Sequence, residues 1–184
     1  MKLITVEEHY DTDENIKQFK QYSKVKNNNP YQDKLKPNLV DFSNKVAYMD
    51  EHGIDFQVVS DAGNSAQVLP DQYAVPGAHA QNETLAEKIS QYPDRFAGLA
   101  TLPANVPDKA AEELEYAVTK LGLKGGIISG SINGQFLDDP KFEAIFAAAD
   151  KLGTTLYLHP GVISNDQKAM LYDSKSYSKM AANM

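Results

Sequence analysis

Glu7 and His9 stand two residues apart near the start of the chain, in the segment Leu-Ile-Thr-Val-Glu-Glu-His at residues 3–9. This segment begins with apolar and β-branched residues and ends in polar ones, which predicts a buried strand whose end opens into a site. Because side chains alternate across a strand, Glu7 and His9 are expected on one face and Glu8 on the other. A carboxylate and an imidazole on one rigid face suit Zn²⁺ or Mn²⁺. The alternative for this short motif is a solvated, charged strand end.

His159 follows the apolar residues 156–158 and precedes Pro160-Gly161, a pair typical of turns. The pattern predicts another strand that ends at His159, much as the first strand ends at His9. In parallel α/β folds the carboxyl ends of the strands lie on one face, where the loops assemble the site. His159 is therefore a candidate third metal ligand. The alternative is a core histidine that is hydrogen-bonded to a backbone carbonyl.

Two other histidines and one asparagine have side chains that could do chemistry. His52 lies in the last turn of a predicted helix, where a positive charge complements the helix dipole, so we expect a capping role. His79 is expected in an exposed loop just before a helix, with a pocket position as the alternative. Asn133 could present its amide to a substrate oxygen, although Asn133-Gly134 is also typical of a turn.

Predicted strands and helices alternate along the chain and would position these residues. The strands are predicted at residues 3–9, 54–60, 95–102, 123–129 and 154–158, and the helices at 37–53, 81–92, 107–121 and 140–152. On the last helix, Phe142, Ile145, Phe146 and Ala149 are expected to be buried. Right-handed crossovers between such units produce a parallel sheet with helices outside. This α/β pattern leaves two architectures open, an open doubly wound sheet and a barrel.

The length of 184 residues favours a single domain, residues 1–184, with two segments outside the alternation of strands and helices. The polar stretch 11–36 is rich in Asn, Lys and Gln, and we interpret it as an insertion. The tail at 164–184 has no strand pattern and is expected to be an unfinished connection.

Composition limits the classes of partner and the kinds of metal ligand. A formal charge of -7 disfavours nucleic acid and anionic lipid, which are themselves negative, so a small molecule or a protein is expected. No apolar run approaches the roughly 20 residues that span a bilayer, and acidic residues come too early for a signal peptide, which favours a cytoplasmic protein. Because the chain has no cysteine, metal ligands must be imidazoles and carboxylates.

Six short motifs occur in an order that is similar to one known family. They are Val6-Glu7-Glu8-His9, His52-Gly53-Ile54-Asp55, Pro93-Asp94-Arg95-Phe96, Asn133-Gly134, Leu137-Asp138-Asp139-Pro140 and Tyr157-Leu158-His159-Pro160. Together, from the N-terminus to about Gly161, they resemble the amidohydrolase-related family of the amidohydrolase superfamily. Its Glu-x-His branch includes decarboxylases of hydroxylated benzoic acids such as γ-resorcylate and 5-carboxyvanillate.

The resemblance implies a (β/α)₈ TIM barrel, of which this chain would form about the first five βα units. It implies that Glu7, His9 and His159 bind a divalent metal, Zn²⁺ or Mn²⁺. The family's fourth ligand, an aspartate of the eighth strand, and its catalytic histidine of the sixth strand are expected to be absent from this sequence. No catalytic residue is therefore assigned here.

The function implied by the resemblance is non-oxidative decarboxylation of a small hydroxylated aromatic acid. One alternative is metal-dependent hydrolysis of an amide, ester or lactone. Another is a truncated, inactive fragment. Its exposed strand edges would invite association with a second copy or with a complementing chain.

Overall fold

The computed structural model describes residues 1–23, 32–61 and 66–160. Its strands are β1 (Ile4–Tyr10), β2 (Phe56–Asp61), β3 (Phe96–Gly98), β4 (Ala100–Thr101), β5 (Gly125–Ser129), β6 (Ser131–Ile132), β7 (Gln135–Phe136) and β8 (Thr155–His159). Its helices are α1 (Asp13–Tyr22), α2 (Gln32–Val40), α3 (Phe42–His52), α4 (Asp71–Ser90), α5 (Pro107–Thr119) and α6 (Glu143–Leu152). Short 3-10 helices occur at Ala66–Val68 and Pro140–Phe142. All five predicted strand regions contain a strand.

The parallel strands follow one another in chain order. One sheet has the order β1-β2-β3 and a second has the order β4-β5-β8, and every pairing within them is parallel. Only Leu99 separates β3 from β4, and its amide donates to the carbonyl of Val59 in β2 at 2.9 Å. The two pieces therefore continue as one bent strand that links the sheets. A doubly wound sheet would instead reverse its strand order at a switch point.

The sheet curves so strongly that side chains from its first and last described parallel strands meet. The hydroxyl of Tyr157 on β8 lies 2.6 Å from Oε2 of Glu7 on β1. With strands about 4.8 Å apart, a flat sheet would place the first and fifth strands about 19 Å apart. Of the two architectures that the sequence allowed, this curvature favours the barrel.

The helices pack on the convex face of the sheet and cover one hydrophobic core. Leu85 of α4, Leu114 of α5 and Ile145 of α6 are fully buried there beside Ile128 of β5. As predicted, α3 ends at Gly53, whose φ of 67° is the left-handed conformation common after a helix. Among the described residues, no helix has the length and apolar character needed to cross a bilayer.

The predicted helix at 81–92 is wrong at its start, because α4 begins at Asp71. Pro76 and Gly77 disfavour a helix locally and led to the loop prediction for this segment. In the structure both residues are helical, and Ala74 and Ala78 of the same helix are fully buried. Burial of this helical face outweighs the local cost of the two residues.

One further prediction needs correction. Phe146 was expected on the buried face of α6 but is 39% exposed. It lies at the edge of a stripe centred on Phe142, Ile145 and Ala149, which are buried. The polar stretch 11–36 contains helix α1, whose N-cap Thr12 accepts a hydrogen bond from the amide of Asn15 at 3.0 Å. Residues 24–31 and the tail at 164–184 lie outside the described residues.

Candidate metal centre

Glu7, His9 and His159 come together at the carboxyl ends of β1 and β8. One ligand atom from each residue, a carboxylate oxygen or a ring nitrogen, lies within 4.8 Å of the other two. His9 is opposite Ser60 in the pairing of β1 with β2, and His159 is opposite Ser129 in the pairing of β5 with β8. The three side chains therefore converge from strands that are far apart in sequence. One carboxylate and two imidazoles form a donor set that suits Zn²⁺ or Mn²⁺.

The strand that carries Glu7 and His9 is irregular, unlike the regular strand that the sequence predicted. Its pairing with β2 shifts register between Thr5 and Glu8, and Glu7 has a φ of 65°. Positive φ is uncommon for a residue with a side chain, and a bulge of this kind re-aims the residue it contains. Convergence of Glu7 with the histidines therefore depends on a local backbone distortion as well as on strand alternation.

His159 makes the backbone hydrogen bond of one alternative, although its side chain is 19% exposed and so is not in the core. Its Nδ1 lies 2.9 Å from the carbonyl oxygen of Pro160. Because a carbonyl can only accept, Nδ1 carries the hydrogen, and in the neutral ring the lone pair is on Nε2. That Nε2 is 3.8 Å from Oε1 of Glu7. A hydrogen bond from the other ring nitrogen to a carbonyl is also the usual way in which a protein orients a metal-binding histidine.

His9 lies between a serine and the second histidine. The hydroxyl of Ser60 is 3.4 Å from Nδ1 of His9, and the rings of His9 and His159 are edge to face with centroids 5.6 Å apart. Burial is the main cause that lowers the pKa of His9, followed by the charge of His159, while Asp61 and Glu7 oppose them. A lowered pKa favours the neutral imidazole, which is the form that binds metals.

Two polar residues near the cluster were not recognised from the sequence. Tyr157 hydrogen-bonds Glu7 across the concave face, and strand alternation could have revealed it because it lies two residues before His159. Gln67 is 3% exposed, and its side-chain oxygen accepts a hydrogen bond from the amide of Ser129 at 3.1 Å. Its amide nitrogen has no hydrogen-bond partner within the part of the chain that the structure describes. No local sequence signal marks Gln67, because only the fold brings it to Ser129.

Three other residues that the sequence suggested for chemistry lie outside the cluster of Glu7, His9 and His159. Asn133 and Gly134 have φ values of 51° and 78° and form the turn between the antiparallel strands β6 and β7, so the turn interpretation describes their conformation. A substrate role for the exposed Asn133 stays a prediction. His52 contacts the carbonyl of Tyr48 through Nδ1 at 2.9 Å, near the end of α3, where capping was expected. His79 is in helix α4 rather than in a loop, which corrects the sequence prediction.

Asp11, directly after β1, is expected to make stability depend on pH. Burial, and then the nearby Asp61, raise the pKa of Asp11 from 3.8 to about 6. As pH rises, the unfolded chain loses the Asp11 proton near pH 3.8, whereas the folded protein keeps it until about pH 6. The contribution of Asp11 to stability is therefore fully present below pH 3.8 and is lost as pH rises through about 6. Because Asp11 is partly exposed, we discount the shift and expect Asp11→Asn to raise the free energy of unfolding at pH 7 by about 1–2 kcal/mol.

Urea unfolding with a chelator present, at intervals from pH 4 to pH 7, measures this effect. Asparagine keeps the side-chain oxygen that accepts from the amide of Thr12 at 2.7 Å and from the Asn15 side chain at 2.6 Å. Asp138→Asn, at an exposed position, is the control for removal of one negative charge. The same pH slope in wild type and Asp11→Asn would contradict the prediction.

Comparisons with known proteins identify the family. A family model described as Amidohydrolase matches residues 30–177. A γ-resorcylate decarboxylase of Rhodococcus jostii is 34% identical over 154 residues, which are 78% of this chain and 46% of that protein. The chain thus spans about half the length of this curated relative.

Solved structures of two decarboxylases are among those that share the fold. One is a 5-carboxyvanillate decarboxylase of Novosphingobium aromaticivorans, complexed with manganese and 4-hydroxy-3-methoxy-5-nitrobenzoic acid. It is 26% identical with a TM-score of 0.81, and the match covers 96% of this chain and 56% of that one. A dihydroxybenzoic acid decarboxylase of Polaromonas sp. JS666, with manganese and the inhibitor 2-nitroresorcinol, is 28% identical with a TM-score of 0.79. The match covers 100% of this chain and 59% of that one. Because the family model matches residues 30–177, which are most of this chain, the chain belongs to the amidohydrolase family.

Proposed function

We propose that the chain forms the metal-binding, N-terminal part of a (β/α)₈ barrel enzyme that decarboxylates a small hydroxylated aromatic acid. The observation that carries this proposal is the convergence of Glu7, His9 and His159, whose ligand atoms lie within 4.8 Å of one another. The chain-ordered, strongly curved parallel sheet supports the first five βα units of such a barrel. The similarity to decarboxylases of hydroxylated benzoic acids supports the reaction class.

Mn²⁺ or Zn²⁺ is the proposed cofactor, with Glu7, His9 and His159 as its ligands from this chain. Manganese in both of the related structures described above makes Mn²⁺ the first ion to test. When bound, a divalent ion of this kind supplies a positive charge that holds and polarises oxygen atoms of the substrate. The chain's own contribution is to favour the neutral form of His9, to direct Nε2 of His159 toward Glu7, and to hold the Glu7 carboxylate through Tyr157.

Incubation of the natural protein that carries this chain with Mn²⁺ and γ-resorcylate tests the proposal. Decarboxylation breaks the bond between the ring and the carboxylate, a proton takes its place on the ring carbon, and carbon dioxide leaves. We therefore expect equal amounts of resorcinol and carbon dioxide, measured by proton NMR and by trapping of the gas. Release of neither product by the natural, full-length protein with metal bound would contradict the assigned reaction.

Hydrolysis of an amide, ester or lactone is the second candidate, because the same donor set can activate a bound water molecule. The two reactions differ in their products. A hydrolase releases a new carboxylic acid and no carbon dioxide, so titration of acid release from ester and lactone substrates discriminates them. The family name, Amidohydrolase, also favours testing this class.

The inactive-fragment alternative is tested by the intact mass of the natural protein. A native mass of 20.3 kDa, with metal binding but no turnover of either substrate class, would favour that alternative. If the mass is larger, the decarboxylation and acid-release assays should both use the longer protein. Val6 on β1 is 59% exposed and Leu158 on β8 is 58% exposed. Because exposed apolar side chains on edge strands favour association, the same samples should be tested for binding to a second copy or to a complementing chain.

A further inference from the structure

We propose that Tyr157 is a positioning residue of the candidate metal centre, acting through Glu7. The proposal rests on the metal centre of the proposed function and adds a residue that would set its affinity. The Tyr157 hydroxyl donates to Oε2 of Glu7 at 2.6 Å, the short distance typical of a hydrogen bond to a charged carboxylate. This contact joins residues 150 positions apart in sequence.

The position of Tyr157 on its strand explains how it reaches Glu7. Tyr157 and His159 are two residues apart on β8, so their side chains project to the same concave face. Glu7 reaches that face from β1, the other edge of the curved sheet in the described part of the chain. The hydrogen bond therefore restrains the direction of the carboxylate and links the two strands that carry the proposed ligands.

Glu7 benefits from such a restraint because its side chain is partly exposed to solvent. Its side chain is 45% exposed, and a free glutamate samples many rotamers that it must give up when it binds a cation. With Oε2 held by Tyr157, Oε1 lies 3.8 Å from Nε2 of His159, where a shared cation would find both donors. The hydroxyl therefore orders the carboxylate before metal binds.

Titration of the purified protein with Mn²⁺ tests this role, with free Mn²⁺ measured by electron paramagnetic resonance. We expect Tyr157→Phe to raise the Kd by roughly 10- to 100-fold, as loss of an outer partner of a metal ligand usually does. Tyr116→Phe is the matched control, because its hydroxyl donates to the carboxylate of Glu83 at 3.1 Å, away from the cluster. The control should bind Mn²⁺ as the wild type does.

A double-mutant cycle with Glu7→Gln separates positioning from a general structural effect. If Tyr157 acts through the carboxylate, Tyr157→Phe should change the Kd less than about threefold in the Glu7→Gln background, in contrast to its effect in wild type. An equal loss in both backgrounds would overturn the proposal, because Tyr157 would then act by another route. Circular dichroism melting curves select a temperature at which all variants are folded, so that the Kd values compare folded proteins.

The outcomes also separate this inference from the proposed function. If His9→Ala abolishes Mn²⁺ binding while Tyr157→Phe binds like wild type, the centre stands and the role of Tyr157 is rejected. If His9→Ala binds Mn²⁺ like wild type, or the wild-type protein fails to bind it, the centre itself is rejected and this inference with it.

Discussion

His9→Ala and His159→Ala should each reduce Mn²⁺ affinity by more than about 100-fold, a larger loss than that typical of an outer partner. Each substitution removes one of three donors whose ligand atoms lie within 4.8 Å of one another. Two remaining donors hold a divalent ion weakly, because such ions need several protein ligands at about 2.0–2.2 Å. Mn²⁺ titration monitored by electron paramagnetic resonance, together with metal content after dialysis, measures the loss.

His52→Ala is the matched histidine control for both variants. His52 is exposed at the end of α3 and contacts the carbonyl of Tyr48, so its removal should leave metal content unchanged. Metal content equal to wild type in either His9→Ala or His159→Ala would reject the proposed centre. A loss of metal in His52→Ala as large as in the other two would show that the assay reports unfolding.

Gly125→Ala should lower the free energy of unfolding by roughly 3 kcal/mol or more, through backbone strain and overpacking. Gly125 begins β5 with a φ of 148°, and a Cβ atom added there would lie 2.1 Å from the carbonyl oxygen of Thr155. The obstacle is backbone rather than a flexible side chain, so β5 and β8 must move apart. Because β8 carries His159, weaker Mn²⁺ binding is also expected. Urea unfolding followed by circular dichroism measures the stability.

Gly122→Ala separates strain from steric conflict. Gly122 also has a positive φ, 73°, but an added Cβ atom there meets nothing within 4 Å. It should therefore lose only about 1–2 kcal/mol, the cost of a left-handed conformation for a residue with a side chain. Equal losses in the free energy of unfolding for Gly122→Ala and Gly125→Ala would contradict the prediction. The close approach of β5 and β8 would then add nothing to the cost at Gly125.

The sequence predicted the order of elements because each depends on nearby residues. Apolar spacing located α5 and α6, and Gly53 located the end of α3. The same local reasoning was wrong for the start of α4, where burial of Ala74 and Ala78 outweighs the helix-disfavouring Pro76. Burial against another element is a tertiary effect, and a window of sequence around Pro76 does not contain it.

The candidate ligands were also predictable, because each ends a strand pattern and strand ends gather on one face of a parallel fold. Their side-chain geometry was not predictable in this way. The bulge and the φ of 65° at Glu7 depend on the pairing of β1 with β2, and the contact of Gln67 with Ser129 joins residues 62 positions apart. Such contacts have no periodicity along the chain that a sequence pattern could reveal.

The sequence by itself therefore determined the alternation of strands and helices, the exclusion of thiolate ligands, and the identity of Glu7, His9 and His159 as candidate donors. Only the tertiary structure decided that the sheet curls, so that β1 and β8 face each other and Tyr157 reaches Glu7. The physical reason is that local propensity and apolar spacing act over a few residues. Sheet curvature and cross-strand hydrogen bonds instead depend on how distant strands pair and pack.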